Sequence, residues 1–135
     1  MMAGDDREAL PPRKQGLDLA REQLARVQVA SFEPIDWSDL AMYAMYALEN
    51  AVIAAADHLG IPWRRTHVSK VETAQALHRD HGLSDVSSLL QDLNELRKSE
   101  AYGEIHPPIS LDAEDVATEV ELFVEAVGVL LAQGR

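Results

Sequence analysis

The chain has 135 residues, a net charge of −11 and no cysteine. This length is typical of one domain that buries its own core without covalent cross-links. The lack of cysteine excludes disulfides, thiolate zinc sites and cysteine nucleophiles. The acidic balance argues against non-specific binding of polyanions, because a protein that displaces counterions needs a basic surface.

Charge is distributed unevenly along the chain. Residues 36–62 contain four acidic side chains and no lysine or arginine, and residues 107–135 contain six acidic side chains against Arg135 alone. Residues 63–106, in contrast, contain six lysines and arginines against seven acidic side chains. Any site that faces an anion is therefore expected in this middle third of the chain.

The first predicted helix follows a segment without an apolar pattern. Residues 1–14 mix charge with glycine and two prolines, and they lack both the basic and the apolar part of a secretory signal. We therefore expect a disordered lead-in over 1–14, a single helical domain over 15–132, and a cytoplasmic location. A helix is predicted from Gln15 to Ala30, because apolar residues recur there at steps of three and four: Leu17, Ala20, Leu24 and Val27.

A second helix is predicted to begin at Asp36 or Ser38 and to end at Leu59, with Gly60 as its stop. Its residues are apolar nearly all round, which indicates a central helix that packs on more than one side. The apolar run over residues 40–59 has the length of a membrane span, but four polar side chains interrupt it and seven of its residues are alanine. We expect a buried helix and no membrane association.

Three more helices are predicted after a loop at residues 61–66. The third runs from His67 to Asp80 and is stopped by Gly82, and its inward residues are Val68, Val71, Ala74 and Leu77. The fourth is capped by Ser84 and stopped by Gly103, and its stripe is Val86, Leu89, Leu90, Leu93, Leu96, Arg97 and Ala101.

The fifth predicted helix starts at Ser110 or Asp112, and its inward residues are Val116, Val120, Phe123, Val127, Leu130 and Leu131. The sequence has no convincing strand pattern and no internal repeat. The predicted fold is therefore all-α, an antiparallel helical bundle of four to five helices.

Arg97 most needs an explanation, because it shares the predicted apolar face of the fourth helix with core leucines. One interpretation is that its guanidinium reaches solvent and pairs with a nearby carboxylate, which would be Asp92, Glu95 or Glu100. The other is that it binds phosphate through its fixed fork of donors. The sequence alone leaves both open.

Two residues after Arg97 are candidates for the same site. Tyr102 either donates a hydrogen bond to a phosphate or covers the core with its ring. His106 lies in a loop before two prolines, where it is either solvated or a general acid or base. Together with Arg97 they form the only catalytic set that the sequence supports.

The densest group of basic residues lies around the start of the third helix. Arg64, Arg65, His67 and Lys70 fall within seven residues, and this is a candidate site for an anion or for RNA, or else an ordinary solvated loop. Glu49 and Asn50 interrupt the apolar second helix, so they either face a cleft that holds a ligand or form the solvated edge of that helix.

Other chemistry is not indicated. His78 and His81 lie three residues apart near Asp80, but a stable metal site normally needs three or four ligands. The sequence contains no phosphate-binding glycine loop, no supported pair of carboxylates and no Gly-x-Ser-x-Gly elbow. No metal and no cofactor is predicted.

The chain resembles the HEPN family in three stretches of sequence. These are the alanine-rich helix from Leu48-Glu49-Asn50 to His58-Leu59-Gly60, the start of the next helix with His67 and Lys70, and the stretch from Leu93 to Tyr102. The likeness extends from about Asp36 to Leu131. It implies a small helical bundle that commonly forms a homodimer and has an RNA-linked role, as a toxin ribonuclease, a defence protein or the partner of a nucleotidyltransferase.

The resemblance also implies a motif that this chain keeps only in part. Active HEPN ribonucleases have an arginine followed four to six residues later by a histidine, and two subunits combine these pairs across a cleft. Arg97 matches the arginine, but positions 102–104 read Tyr102-Gly103-Glu104, and His106 comes two positions too late. Tyrosine has an ordinary pKa near 10, so it is a poor base at neutral pH.

Three functions remain open from the sequence. The first is a HEPN-like homodimeric module with weakened or absent catalysis that binds RNA or a nucleotide, with a cognate antitoxin or nucleotidyltransferase as a further partner. The second is a metal-independent, toxin-type endoribonuclease that uses Arg97 with Tyr102 or His106. The third is a non-enzymatic adaptor for protein–protein interaction.

Overall fold

The computed structural model describes residues 12–101 and 111–133, and this part of the chain forms five helices and no strand. The helices are α1 (Pro12–Ala30), α2 (Trp37–Leu59), α3 (His67–His81), α4 (Ser87–Ala101) and α5 (Ala113–Gln133). The predicted all-α helical bundle is confirmed.

Helix α1 begins three residues before the predicted helix start at Gln15. Residues 12–14 were expected in the disordered lead-in, but they form the first turn of α1. Proline is favourable at the first position of a helix in general, because the first amides of a helix have no partner within the helix and proline fixes φ near the helical value. Residues 1–11 lie outside the described part of the chain.

The ends of α2 follow from two local signals that the sequence contains. The Asp36 side chain accepts a hydrogen bond from the amide of Asp39 at 3.0 Å, so Asp36 and not Ser38 is the cap. At the other end Gly60 has a φ of 74°, in the left-handed region that favours glycine. Both limits of the predicted helix are confirmed to within one residue.

Helix α2 is the central element of the bundle, as predicted. Twelve of its residues are buried, and it packs against each of the four other helices. Small side chains allow a close approach to α1, where a Cβ atom on Gly16 would lie 3.2 Å from the Asn50 carbonyl oxygen and 3.4 Å from the Ala54 Cβ. None of the helices in the described residues is long and apolar enough to cross a membrane.

Helix α3 corrects the predicted inward face at one position. Val71, Ala74 and Leu77 are buried as expected, but the Val68 side chain is 65% exposed. In the first turn of α3 the side that faces α2 belongs instead to His67 and Lys70, which contact a carboxylate of α2. Val68 lies only about 60° around the helix from Val71, so periodicity predicted it to be inward, and only the packing of the first turn shows that it faces solvent.

A turn at Asp85 begins α4, so the prediction that Ser84 caps this helix was wrong. The Asp85 carboxylate accepts hydrogen bonds from the Ser87 hydroxyl at 2.6 Å and from the Ser87 amide at 3.0 Å. The bond from the hydroxyl, followed by that from the amide, lowers the pKa of Asp85 below its usual value. Serine and aspartate are both common at helix starts, and only the folded turn shows which of them accepts the amide.

Helix α5 closes the bundle against α1 and α2. Asp112 accepts a hydrogen bond from the amide of Asp115 at 3.0 Å, which confirms it as the start of this helix. The predicted inward residues Val116, Val120, Phe123 and Val127 are buried, whereas Leu130 and Leu131 are only partly buried. Gly103 and Ser110 lie outside the described residues.

Candidate functional site

Three of the predicted site residues meet where the first turn of α3 packs on the middle of α2. The Lys70 Nζ atom lies 3.4 Å from Glu49 Oε1, and the His67 Nδ1 atom lies 3.5 Å from Glu49 Oε2. The exposed fractions of these side chains are only 12% for Glu49, 19% for Lys70 and 26% for His67. The positive charge of Lys70 is therefore paired with the Glu49 carboxylate in a largely buried position.

His67 lies partly enclosed between α2 and α3. Its contact to Glu49 is longer than an ordinary N–H···O hydrogen bond of about 2.7–3.2 Å. Both ring nitrogens are closed off from solvent, and they have no hydrogen-bond partner among the described residues. His67 thus takes part in the packing of α3 on α2, and its binding of an anion stays a prediction.

Asn50 faces away from this cluster. Its Nδ2 atom donates a hydrogen bond to Gln23 Oε1 on α1 at 2.9 Å, so it joins α1 to α2. Consecutive residues of a helix point in directions about 100° apart, and Glu49 and Asn50 therefore reach different neighbours. The prediction that Asn50 belongs to an anion site is not supported by this geometry.

The loop between α2 and α3 holds an aromatic ring in a defined orientation. The indole nitrogen of Trp63 donates a hydrogen bond to Asp57 Oδ1 on α2 at 2.8 Å. The guanidinium of Arg65 lies over the same ring, with its Cζ atom 5.7 Å from the ring centroid. The backbone amide of Arg64 donates to Ser69 Oγ at 2.8 Å, so the loop is also attached to α3.

Arg64 and Arg65 have no carboxylate partner within 4.0 Å in the described part of the chain, in contrast to three other basic residues. Lys70 pairs with Glu49, Arg79 with Asp80 at 3.1 Å and Lys98 with Glu95 at 3.8 Å. Arg64 and Arg65 are both exposed. Neither charge is neutralised by a carboxylate among the described residues, and the anion site at these two positions stays a prediction.

An open groove with a volume of about 590 Å³ begins at this loop. It is lined by Pro62, Trp63, Arg64, Thr66, Val68, Ser69 and Glu72. Its volume falls within the range of about 300–1,000 Å³ that is usual for small-molecule sites. A smaller groove of about 250 Å³ lies between α3 and α4, and it shares Val68 and Glu72 with the first.

Arg97 does not lie on a buried face. It is exposed, and its Nη2 atom donates a hydrogen bond to Asn94 Oδ1 on the same helix at 3.0 Å. Of its predicted partners, Glu95 pairs with Lys98 instead. The long side chain lets the guanidinium leave the apolar stripe for solvent, which explains why an arginine is tolerated there.

The rest of the predicted catalytic set cannot be placed next to Arg97. Tyr102 and His106 both lie outside the described residues, so catalysis by these three residues stays a prediction. Within the described ranges no three His, Asp or Glu side chains are grouped to hold a metal ion. The Nδ1 atom of His78 lies 2.8 Å from the carbonyl oxygen of Leu83, at the end of α3.

Among the groove residues that the sequence interpretation did not name as site residues, Trp63 and Glu72 have the side chains best suited to contact a ligand. Trp63 had a usable signal, because a tryptophan directly before two arginines in a loop combines a stacking surface with phosphate-binding groups. Glu72 had none, since a single glutamate on a helix is usually solvated. Its position in the groove depends on how α3 packs beside the loop.

Comparison with known proteins finds no match to this chain. No protein-family model matches the chain, and no match is found among curated proteins or among solved structures. Any function therefore has to be inferred from the side chains that this fold brings together.

Proposed function

We propose that this chain is a HEPN-like helical module that binds RNA or a nucleotide through the loop at residues 61–66 and acts as a homodimer without efficient catalysis. One observation carries the proposal. Arg64 and Arg65 are exposed, lack a carboxylate partner among the described residues, and adjoin the oriented ring of Trp63 at the edge of an open groove.

The three side chains together match the chemistry of an unpaired nucleotide. An arginine guanidinium binds phosphate oxygens through two parallel hydrogen bonds. A base that stacks on an aromatic ring contributes about 1–3 kcal/mol. The hydrogen bond from Trp63 to Asp57 orients the indole before a ligand arrives, which lowers the entropy lost on binding.

The acidity of the chain limits where a nucleic acid can lie. With a net charge of −11, most of the surface repels a polyanion. Contact is therefore confined to a few nucleotides around the loop. A short single strand or a free nucleotide fits this restriction better than a long duplex, whose binding needs many phosphate contacts.

The proposal is tested by the fluorescence of Trp63. The chain has two tryptophans, so Trp37→Phe leaves Trp63 as the sole indole. We expect saturable quenching when a short single-stranded oligoribonucleotide is added at low salt, because a stacked base quenches indole emission. In the control, Trp63→Phe, the remaining Trp37 lies at the start of α2 and its emission is expected to stay constant. No quenching in Trp37→Phe at millimolar oligonucleotide would overturn the proposal.

The homodimer is supported by an apolar pair on the outer side of α5. Leu122 and Val129 are 60% and 58% exposed and lie two helical turns apart, so they share one face. We expect sedimentation equilibrium at about 10 µM to give twice the chain mass of 14.9 kDa. Leu122→Lys should then give monomers, whereas Phe32→Lys, at another exposed apolar position, should not. A monomeric mass for the unchanged chain would contradict the proposed assembly.

A further inference from the structure

The groove beside Trp63 is lined by two side chains of opposite charge that do not pair with each other. Arg64 and Glu72 both line it, and Glu72 is the only one of its lining residues with a carboxylate. No ion pair within 4.0 Å joins the two side chains among the described residues, although such pairs form at Glu49, Asp80 and Glu95. A ligand that fills this groove therefore meets a cation at one point and a carboxylate at another.

The Glu72 carboxylate has no hydrogen-bond or ion-pair partner in the described part of the chain. It is exposed, it lies on the outer side of α3 beside Val68, and no hydrogen bond or ion pair occupies its oxygens there. A carboxylate only accepts hydrogen bonds, so its natural partner is a group with two neighbouring N–H donors. Because a carboxylate repels a phosphate that is bound nearby, it lowers the affinity for the ligand unless the ligand donates hydrogen bonds to it.

We propose that Glu72 makes this groove selective for guanine, an inference that rests on the nucleotide-binding function proposed above. The guanine ring stacks at Trp63, its phosphate contacts Arg64, and its Watson–Crick edge donates from N1–H and the N2 amino group to the two carboxylate oxygens of Glu72. Proteins read unpaired bases through this edge.

The other three bases cannot make the same pair of bonds. Adenine and cytosine each present one amino group beside a ring nitrogen that accepts, and uracil presents one N–H between two carbonyl oxygens. Each of them places at least one acceptor against a carboxylate, where the lone pairs repel each other. A matched bidentate pair typically discriminates against a wrong base by about tenfold or more.

The shared chemistry is a guanine with a phosphate, from either a free nucleotide or an RNA strand. The test uses the Trp37→Phe chain and titrates it with GMP, AMP, CMP and UMP, then with the single strands UUGUU and UUUUU. We expect GMP to bind at least tenfold more tightly than UMP, and UUGUU more tightly than UUUUU. A preference seen only with the strands identifies RNA as the source of the guanine and supports the inference.

The role of Glu72 is tested in the same chain by Glu72→Gln. We expect the preference for GMP over UMP to fall to about twofold while binding of UMP is kept or improved, because a neutral amide no longer repels the phosphate. The matched control is Glu125→Gln, which removes an exposed carboxylate of α5 outside this groove and should leave the preference unchanged.

The outcomes separate this inference from the function on which it rests. Equal affinity for all four nucleotides, together with equal affinity for UUGUU and UUUUU, overturns the guanine preference and leaves nucleotide binding in place. A guanine preference that survives in Glu72→Gln overturns the assignment to Glu72. If none of the nucleotides or strands changes the fluorescence, nucleotide binding itself is wrong, and a zwitterionic ligand such as an amino acid becomes the better match to Arg64 and Glu72.

Discussion

Replacing Arg64 and Arg65 together by alanine is expected to weaken binding of a single-stranded oligoribonucleotide by about 10- to 100-fold. Both guanidinium groups are exposed and have no carboxylate partner in the described residues, so their interaction energy is available to phosphate oxygens. The salt dependence should also fall, because each phosphate contact on a single strand contributes about 0.7 to the slope of log K against log salt concentration. Two lost contacts correspond to a change of about 1.4 in that slope.

A matched control separates these local contacts from the overall charge. Arg79→Ala with Lys98→Ala also removes two positive charges, but both residues already pair with carboxylates, Asp80 and Glu95, outside the loop. This control variant should keep most of the affinity and nearly the full salt slope. Equal loss in the two double variants would show that net charge decides binding, and the loop would then have no special role.

Replacing Gly16 by leucine is expected to lower the free energy of unfolding by about 1–3 kcal/mol, the usual cost of overfilling a packed contact. A Cβ atom added at this position would lie 3.2 Å from the Asn50 carbonyl oxygen of α2. A longer side chain would therefore push the two helices apart. The hydrogen bond between Gln23 and Asn50 also joins α1 to α2, so separating the two helices would weaken this second contact.

Gly128 provides the matched control for Gly16, because it is also a glycine within a helix. There a Cβ atom would meet only the end of the Arg21 side chain, at 2.9 Å. Arg21 is exposed and can turn aside, and a non-glycine residue favours the helix by up to about 1 kcal/mol. Gly128→Leu should therefore be neutral or stabilising. Urea unfolding followed by circular dichroism measures both variants, and a similar loss in each would refute the close packing of α1 on α2.

The contrast between these two glycines shows a limit of sequence interpretation. Both lie in segments with helical periodicity, and the sequence assigns both helices without difficulty. Only the packing of α1 across α2 shows that Gly16 touches backbone, whereas Gly128 lies under a movable side chain. Helix formation depends on neighbours three and four residues away, but a crossing depends on residues far apart in the chain.

The candidate site shows the same difference between what the sequence predicts locally and what helix packing decides. The sequence predicts a candidate anion-facing site near Arg64 and Arg65, because charge can be counted along the chain. It also grouped His67 and Lys70 with them, although packing gives these two side chains a neighbour that the sequence could not show. Their side chains turn inward to Glu49, which lies more than fifteen residues earlier and meets them only through the packing of α3 on α2.

The sequence by itself determined the helical bundle, the limits of α2 and the central place of that helix. These depend on a local apolar period, on the Asp36 cap and on the positive φ of Gly60, all of which act within a few residues. Only the tertiary structure decided which charged side chains form ion pairs and which have no partner. A carboxylate either neutralises a base or leaves it open to a ligand according to distance in space, and helix packing sets that distance.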